Sequence, residues 1–144
     1  MKRIIVLLLA ICLCFCGCVS TEPQIDPDLI KIEITYSDSK NVTFDVINNS
    51  KDGIEFGSEY HIEYLDGENW VPLEEKTETF FTMIAHMLAS GEKMNFSFDI
   101  AARYGELSSG TYRIAKNFTL LNEDGISCGS RMAYGEFEVI AIER

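Results

Sequence analysis

The side chains best equipped for chemistry in this 144-residue chain are its cysteines. Cys12, Cys14, Cys16 and Cys18 form a C-x-C-x-C-x-C run, and Cys128 stands alone in the body of the chain. Thiolates at that spacing would suit a soft metal. The run, however, closes a continuous apolar stretch from Ile4 to Cys16, a membrane-inserting segment rather than part of a folded site. His61 and His86 are the only histidines, each alone in an apolar or aromatic stretch, whereas a zinc site needs about three or four convergent ligands. Carboxylates gather at Glu63, Asp66 and Glu68 and at Glu74–Glu75, where they would bind calcium loosely, pair as acid and base, or simply line a solvated sheet face. No nucleophile elbow, phosphate loop, calcium loop or His-Glu-x-x-His motif occurs. The sequence therefore assigns no catalytic residue, cofactor or metal, and the chain is read as a non-enzyme. Cys128 has no basic immediate neighbour and is expected to be a small, partly buried hydrophobe. Sequons at Asn41, Asn48, Asn95 and Asn117 are expected products of Asn, Ser and Thr usage in strands.

The N-terminal segment says where the chain goes. Met1-Lys2-Arg3 is a short positive region, and the apolar stretch behind it is shorter than the ~20 residues a spanning helix needs, which reads as an export signal over residues 1–17. Phe15-Cys16-Gly17-Cys18 resembles the lipobox of bacterial lipoproteins, with Gly17 as the small residue at the scissile bond. Phe15 and Cys16 depart from the commoner residues of that box. Cys12, Cys14 and Cys16 each follow a bulky residue, which leaves Cys18 as the lipid acceptor. The resemblance implies an anchor in the cell membrane on its extracytoplasmic side, since two acyl chains hold a protein stably to a leaflet. A plain secretory signal is the alternative. Residues 18–28, with Pro23 and Pro27, lack periodicity and read as a flexible tether.

Charge narrows the partners. The net charge is −11, and removing Lys2 and Arg3 leaves 10 basic against 23 acidic residues, −13. Such a surface repels nucleic acid and anionic headgroups, so nucleic acid is excluded and the membrane is expected to be met through Cys18. A protein is the expected partner.

Residues 29–144 have room for one domain. Period-two alternation recurs between turns: Ile30, Ile32 and Ile34; Val42, Phe44 and Val46; a longer strand from Ile54 to Leu65 interrupted at Gly57; Met94, Phe96, Phe98 and Ile100; Tyr112 and Ile114, then Phe118 and Leu120 after a phase change at Ala115; and Tyr134, Phe137, Val139 and Ala141 with a bulge near Gly135. Asp66-Gly67 signals a hairpin, and Pro72 confines Trp70–Leu73 to an edge. Thr79–Ala89 is read as an extended segment crossing between sheets, a helix being the alternative. Its apolar cluster of Phe80, Phe81, Met83, Ile84, Met87 and Leu88 is expected in the core, a partner-binding patch being the alternative if it is exposed. Seven or eight short strands make an all-β, antiparallel sandwich.

Tyr112, just after Gly110 at the start of a late strand, is placed for a tyrosine corner, which points to an immunoglobulin-like sandwich. The run Tyr104-Gly-x-Leu-x-x-Gly-x-Tyr-Arg-Ile-x-Lys116 also resembles the bacterial immunoglobulin-like domains carried by small lipoproteins of Firmicutes, as do Ile54–Gly57, Tyr60–Glu63 and Asp66-Gly67…Trp70. The resemblance covers most of Val42 to Val139 and implies the fold and a cell-surface setting, with no catalytic residues. The expected function is a lipid-anchored protein-interaction module of the cell envelope. Trp70, Tyr60 and Tyr64 are the candidate interaction residues; the alternatives are an extracytoplasmic protease inhibitor and a carbohydrate or cell-wall binder, the latter favoured if Trp70 and two or more tyrosines form an exposed coplanar strip.

Overall fold

A computed structural model describes residues 29–78 and 80–140. Cys18, the signal segment, the tether and Ala141 lie outside the described residues. Two antiparallel sheets face each other across an apolar core. The first joins β1 (Ile30–Ser37), β2 (Asn41–Asn48) and β7 (Lys93–Asp99) in the order β1-β2-β7. The second is built on β8 (Gly110–Leu121). One edge of β8 pairs with β9 (Ser127–Val139); the other pairs with β4 (His61–Asp66) through Tyr112–Ala115 and with β3 (Gly53–Phe56) through Thr119–Leu121. Strands β3 and β4 are thus one strand broken at Gly57–Tyr60, with β5 (Asn69–Pro72) beyond β4 and β6 (His86–Leu88) beyond β3. A one-turn helix, α1 (Ala101–Tyr104), carries the crossover from β7 to β8. Among the described residues nine strands exceed the expected seven or eight because the broken strand and the three-residue β6 count separately.

Alternation places the core. Val42, Phe44 and Val46 of β2, Ile54 and Phe56 of β3, Ile62 of β4, and Ile114 and Phe118 of β8 are all buried. Phe44 stacks on Phe96 at 5.8 Å, and Phe56 meets Phe118 at 4.9 Å. The Asp66–Asn69 hairpin has Gly67 at its first central position with φ +63°, a glycine-favouring conformation. The run Tyr104–Lys116 acquires a structural reason residue by residue. Tyr104 Oη accepts the Ile62 N–H, Gly105 ends α1 with φ +78°, Leu107 is buried, and Tyr112 Oη donates to the Ser108 carbonyl at 3.0 Å, the tyrosine corner.

Five expectations change. No phase change occurs at Ala115: Tyr112, Ile114, Lys116 and Phe118 keep one period, Lys116 taking the inward position between Ile114 and Phe118, although Ala115 is buried as well. Pairing is regular at Gly135; the irregularity falls at Leu120/Leu121. Gly135 is required instead because a Cβ there would sit 2.5 Å from Ile32 Cγ2, where β1 closes against β9. The segment after β5 is extended but runs along the second sheet to β6 rather than crossing between sheets, and it leaves Phe80, Met83, Ile84 and Met87 exposed while Phe81 and Leu88 pack inward. Cys128 is exposed, lying near the end of the β8–β9 hairpin where the register shifts.

Urea unfolding tests this packing. Gly135→Ala should lower stability by about 1–3 kcal/mol through overpacking, and Tyr112→Phe by about 1 kcal/mol through the lost corner bond. Unchanged midpoints for both would refute the assigned contacts.

Candidate interaction face

The two outer faces of the sandwich differ in kind. That of the first sheet is polar and self-satisfied: Asp45 accepts from Lys93 at 3.1 Å and from Asn95 at 2.7 Å, and the Thr43 and Ser97 hydroxyls meet at 3.0 Å. That of the second sheet carries a cation between aromatic rings. Period-two geometry turns Arg113 of β8 outward, opposite Glu63 of β4 and Glu136 of β9. Its guanidinium lies 4.4 Å from the Trp70 ring centroid and 4.0 Å from that of Tyr134, and its Nε donates to Glu63. Trp70, Glu63, Arg113 and Tyr134 come from β5, β4, β8 and β9, a strip across four strands. Tyr134 is 45% exposed, Met132 48% and Leu65 37%. Arginine stacked on tryptophan and tyrosine is the composition of protein-interaction hot spots.

The three residues proposed from sequence are not brought together. Trp70 is half-buried with Arg113 over its ring. Tyr60 is buried, stacked on Phe98 at 4.4 Å, and burial pushes its hydroxyl pKa up to about 12. Tyr64 is half-buried on the inward face. Arg113 and Tyr134 escaped notice because Arg113 sat inside a family-like motif and Tyr134 was counted with the core. The alternation of β8 carried the signal for Arg113, but cross-strand partners are not legible in a single strand.

Behind this face lie two buried cations. Lys116 Nζ, in a side chain 1% exposed overall, donates to the carbonyls of Gly57 at 2.9 Å and Glu59 at 2.6 Å and lies over Phe56 and Phe98 at 5.7 and 5.6 Å. Arg103 donates to the Tyr60 carbonyl and to Glu75, and stacks on Phe81 at 4.6 Å. The hydrogen bond from Arg103 holds the Glu75 carboxyl below its usual range. Three carbonyls of the β3–β4 break are thereby satisfied by side chains in place of a neighbouring strand. Desolvation lowers the Lys116 pKa to about 8.

Of the other candidate groups, His61 is exposed 3.9 Å from Glu59, and His86 packs between Phe56 and Phe96. Among the described residues no three His, Cys, Asp or Glu side chains converge as a metal site. Asn48 is fully buried, its amide donating to the carbonyls of Asp52, Leu88 and Ala89, so that sequon is structural. A cleft of about 240 Å³ lies on the same outer face as Arg113, beside the β3–β4 break, lined by Glu55, Glu59, His61, Asn117 and Met132 among others.

An antiparallel sandwich with β1-β2-β7 against a sheet centred on β8, closed by a tyrosine corner, is an immunoglobulin-like module. The chain belongs to the bacterial Ig-like domain family, whose model matches residues 29–133. No curated protein matches it. Among solved structures it is similar to the archaellum periplasmic stator protein FlaG from Sulfolobus acidocaldarius, at 18% identity over 72% of this chain and 99% of that one, with a TM-score of 0.36. The complex of FlaF and FlaG from the same organism is matched at 18% identity over 71% of this chain and 87% of that one, with a TM-score of 0.35.

The buried lysine gives a pH signature. Unfolded, Lys116 keeps its proton to about 10.5; folded, it loses it near 8. Between these values the unfolded chain binds more protons, so stability rises with pH, by an amount on the order of 3 kcal/mol if the full interval is realised. Above pH 10 the raised Tyr60 works the other way, because the unfolded phenol ionises first. Wild-type stability should therefore climb from pH 8 to 10, and Lys116→Met should flatten that climb. A flat wild-type profile would contradict the assignment.

Proposed function

We propose that this protein is a non-enzymatic, lipid-anchored module on the extracytoplasmic side of the cell membrane, which binds a protein partner through the outer face of its second sheet. The observation that carries the reading is the Trp70–Arg113–Tyr134 stack, flanked by exposed Leu65 and Met132. Apolar and aromatic area around a pre-oriented cation supplies binding energy at small entropic cost, because Glu63 and the two rings already fix the guanidinium. The acidic surroundings, −13 for the mature chain, favour a partner with a basic rim and make association faster at low salt. The export signal and the Cys18 lipobox support the anchor. The carbohydrate reading loses its platform with Tyr60 and Tyr64 turned inward. The inhibitor reading finds no strained non-glycine backbone among the described residues.

Two comparisons test the proposal in a bacterial host. Wild-type protein from membranes should begin at a diacylated Cys18 by intact mass, and Cys18→Ala should lose both lipid and membrane association. The envelope protein captured by wild type should be lost by Arg113→Glu with Tyr134→Ala and kept by Ser97→Glu on the opposite face. Capture indifferent to the first pair, or lost in the second, would sink the assignment of this face.

A further inference from the structure

The two most exposed apolar side chains, Met83 and Phe80, lie on one flank together with Ile84 and Met87. Between β5 and β6, Phe80 is 91% exposed, Met83 is fully exposed and Ile84 is 57% exposed, with Met87 following on β6. The segment is fixed at several points. The Lys76 N–H donates to the Arg103 carbonyl, Phe81 turns inward onto the Arg103 guanidinium and the Tyr60 ring, and β6 pairs with β3. Burying Phe81 leaves its neighbours presented to solvent, and apolar patches of this kind mark a surface that something covers.

Chemistry and position say what covers it. Residues 79–91 contain no Asp, Glu, Lys or Arg, the longest such run after the signal segment in a chain with 23 carboxylates. This run ends where the chain enters the fold. The Asn49 N–H donates to the Leu29 carbonyl, and the Gly91 N–H donates to the Asn48 carbonyl, so both are tied to one corner. Ten residues, 19–28, separate Cys18 from Leu29. In any conformation they span at most ~36 Å, about the width of a domain of this size. An anchored domain is therefore never farther from the leaflet than its own diameter.

We propose that Phe80, Met83 and Ile84 insert into the interfacial zone of the bilayer leaflet that holds the lipid on Cys18. This inference rests on the lipid-anchored reading. Three apolar side chains without adjacent carboxylates enter the headgroup–acyl boundary, while the rest of the acidic surface is held off it. Docking along the β6 flank leaves the Arg113 face upright and open to a partner.

The test uses the full lipidated chain with Met83→Trp in phosphatidylcholine vesicles with brominated acyl chains. It is compared with wild type, whose only tryptophan is Trp70, and with Ile140→Trp, just past β9 on the other side of β8 from β3 and β6, where Ile140 is 80% exposed. The added emission at position 83 should shift to the blue and lose about half its intensity, that at position 140 should do neither, and the melting temperature should not change. No quenching at 83 on vesicles that float with diacylated protein would overturn the inference and leave the anchor standing. Unlipidated protein that neither floats nor is quenched would overturn both. A blue shift that grows with protein concentration without bromine quenching would assign the flank to a second copy of the chain and overturn bilayer insertion.

Discussion

Three backbone carbonyls inside the second sheet have no strand to receive them, and two buried cations take that place. Where a continuous strand would have paired along the whole of β8, the chain breaks at Gly57–Tyr60; Lys116 meets the carbonyls of Gly57 and Glu59, and Arg103 meets that of Tyr60. Burying a cation costs far more than burying a methylene unless its donors are used. Here hydrogen bonds and aromatic faces offset the cost: Phe56 and Phe98 for Lys116, and Tyr60, Phe81 and Tyr104 for Arg103. Much follows from that break. It splits one strand into β3 and β4, gives each its own short edge partner, and requires the segment between β5 and β6 to pass along the flank, where Arg103 and Glu75 pin it.

The same arrangement separates the two outer faces in purpose. On the first sheet, charged and hydroxyl side chains satisfy one another across strands, which leaves little to offer a ligand. On the second, Arg113 is neutralised by Glu63 yet held between two rings, that of Tyr134 being partly exposed to solvent. Rigid presentation is the common theme: the tyrosine corner fixes the start of β8, the close approach at Gly135 fixes β9 against β1, and both strands contribute to the face. Such rigidity lowers the ordering cost of binding the partner proposed above.

Much of the fold was legible in the sequence because strands with one buried face must alternate. Ile30 and Ile32, Val42–Val46 and Met94–Phe98 fell where the period placed them, and Gly67 and Tyr112 announced their turn and corner through backbone chemistry. The failures share a cause. Lys116 broke the apparent phase of β8 because a buried cation looks like a solvent residue until its carbonyl partners, 57 and 59 residues away in sequence, are known. Composition places Phe80, Met83 and Ile84 in the core, whereas burial of an irregular segment depends on what fixes its ends. The lack of a basic neighbour suggests a partly buried Cys128, whereas its exposure is set by the register shift of the β8–β9 hairpin. The candidate face was half visible: Trp70 was singled out, whereas Arg113 and Tyr134 reach it only through pairing across β4, β8 and β9.

The proposed partner-binding surface is the outer face of the second sheet. A photo-crosslinking residue placed at Tyr134, compared with one at Ser97 on the opposite sheet, reports this in intact cells expressing the full chain. A discrete membrane-associated adduct is expected from position 134 and none from position 97. An adduct from position 97 alone, or none from either, would contradict that assignment.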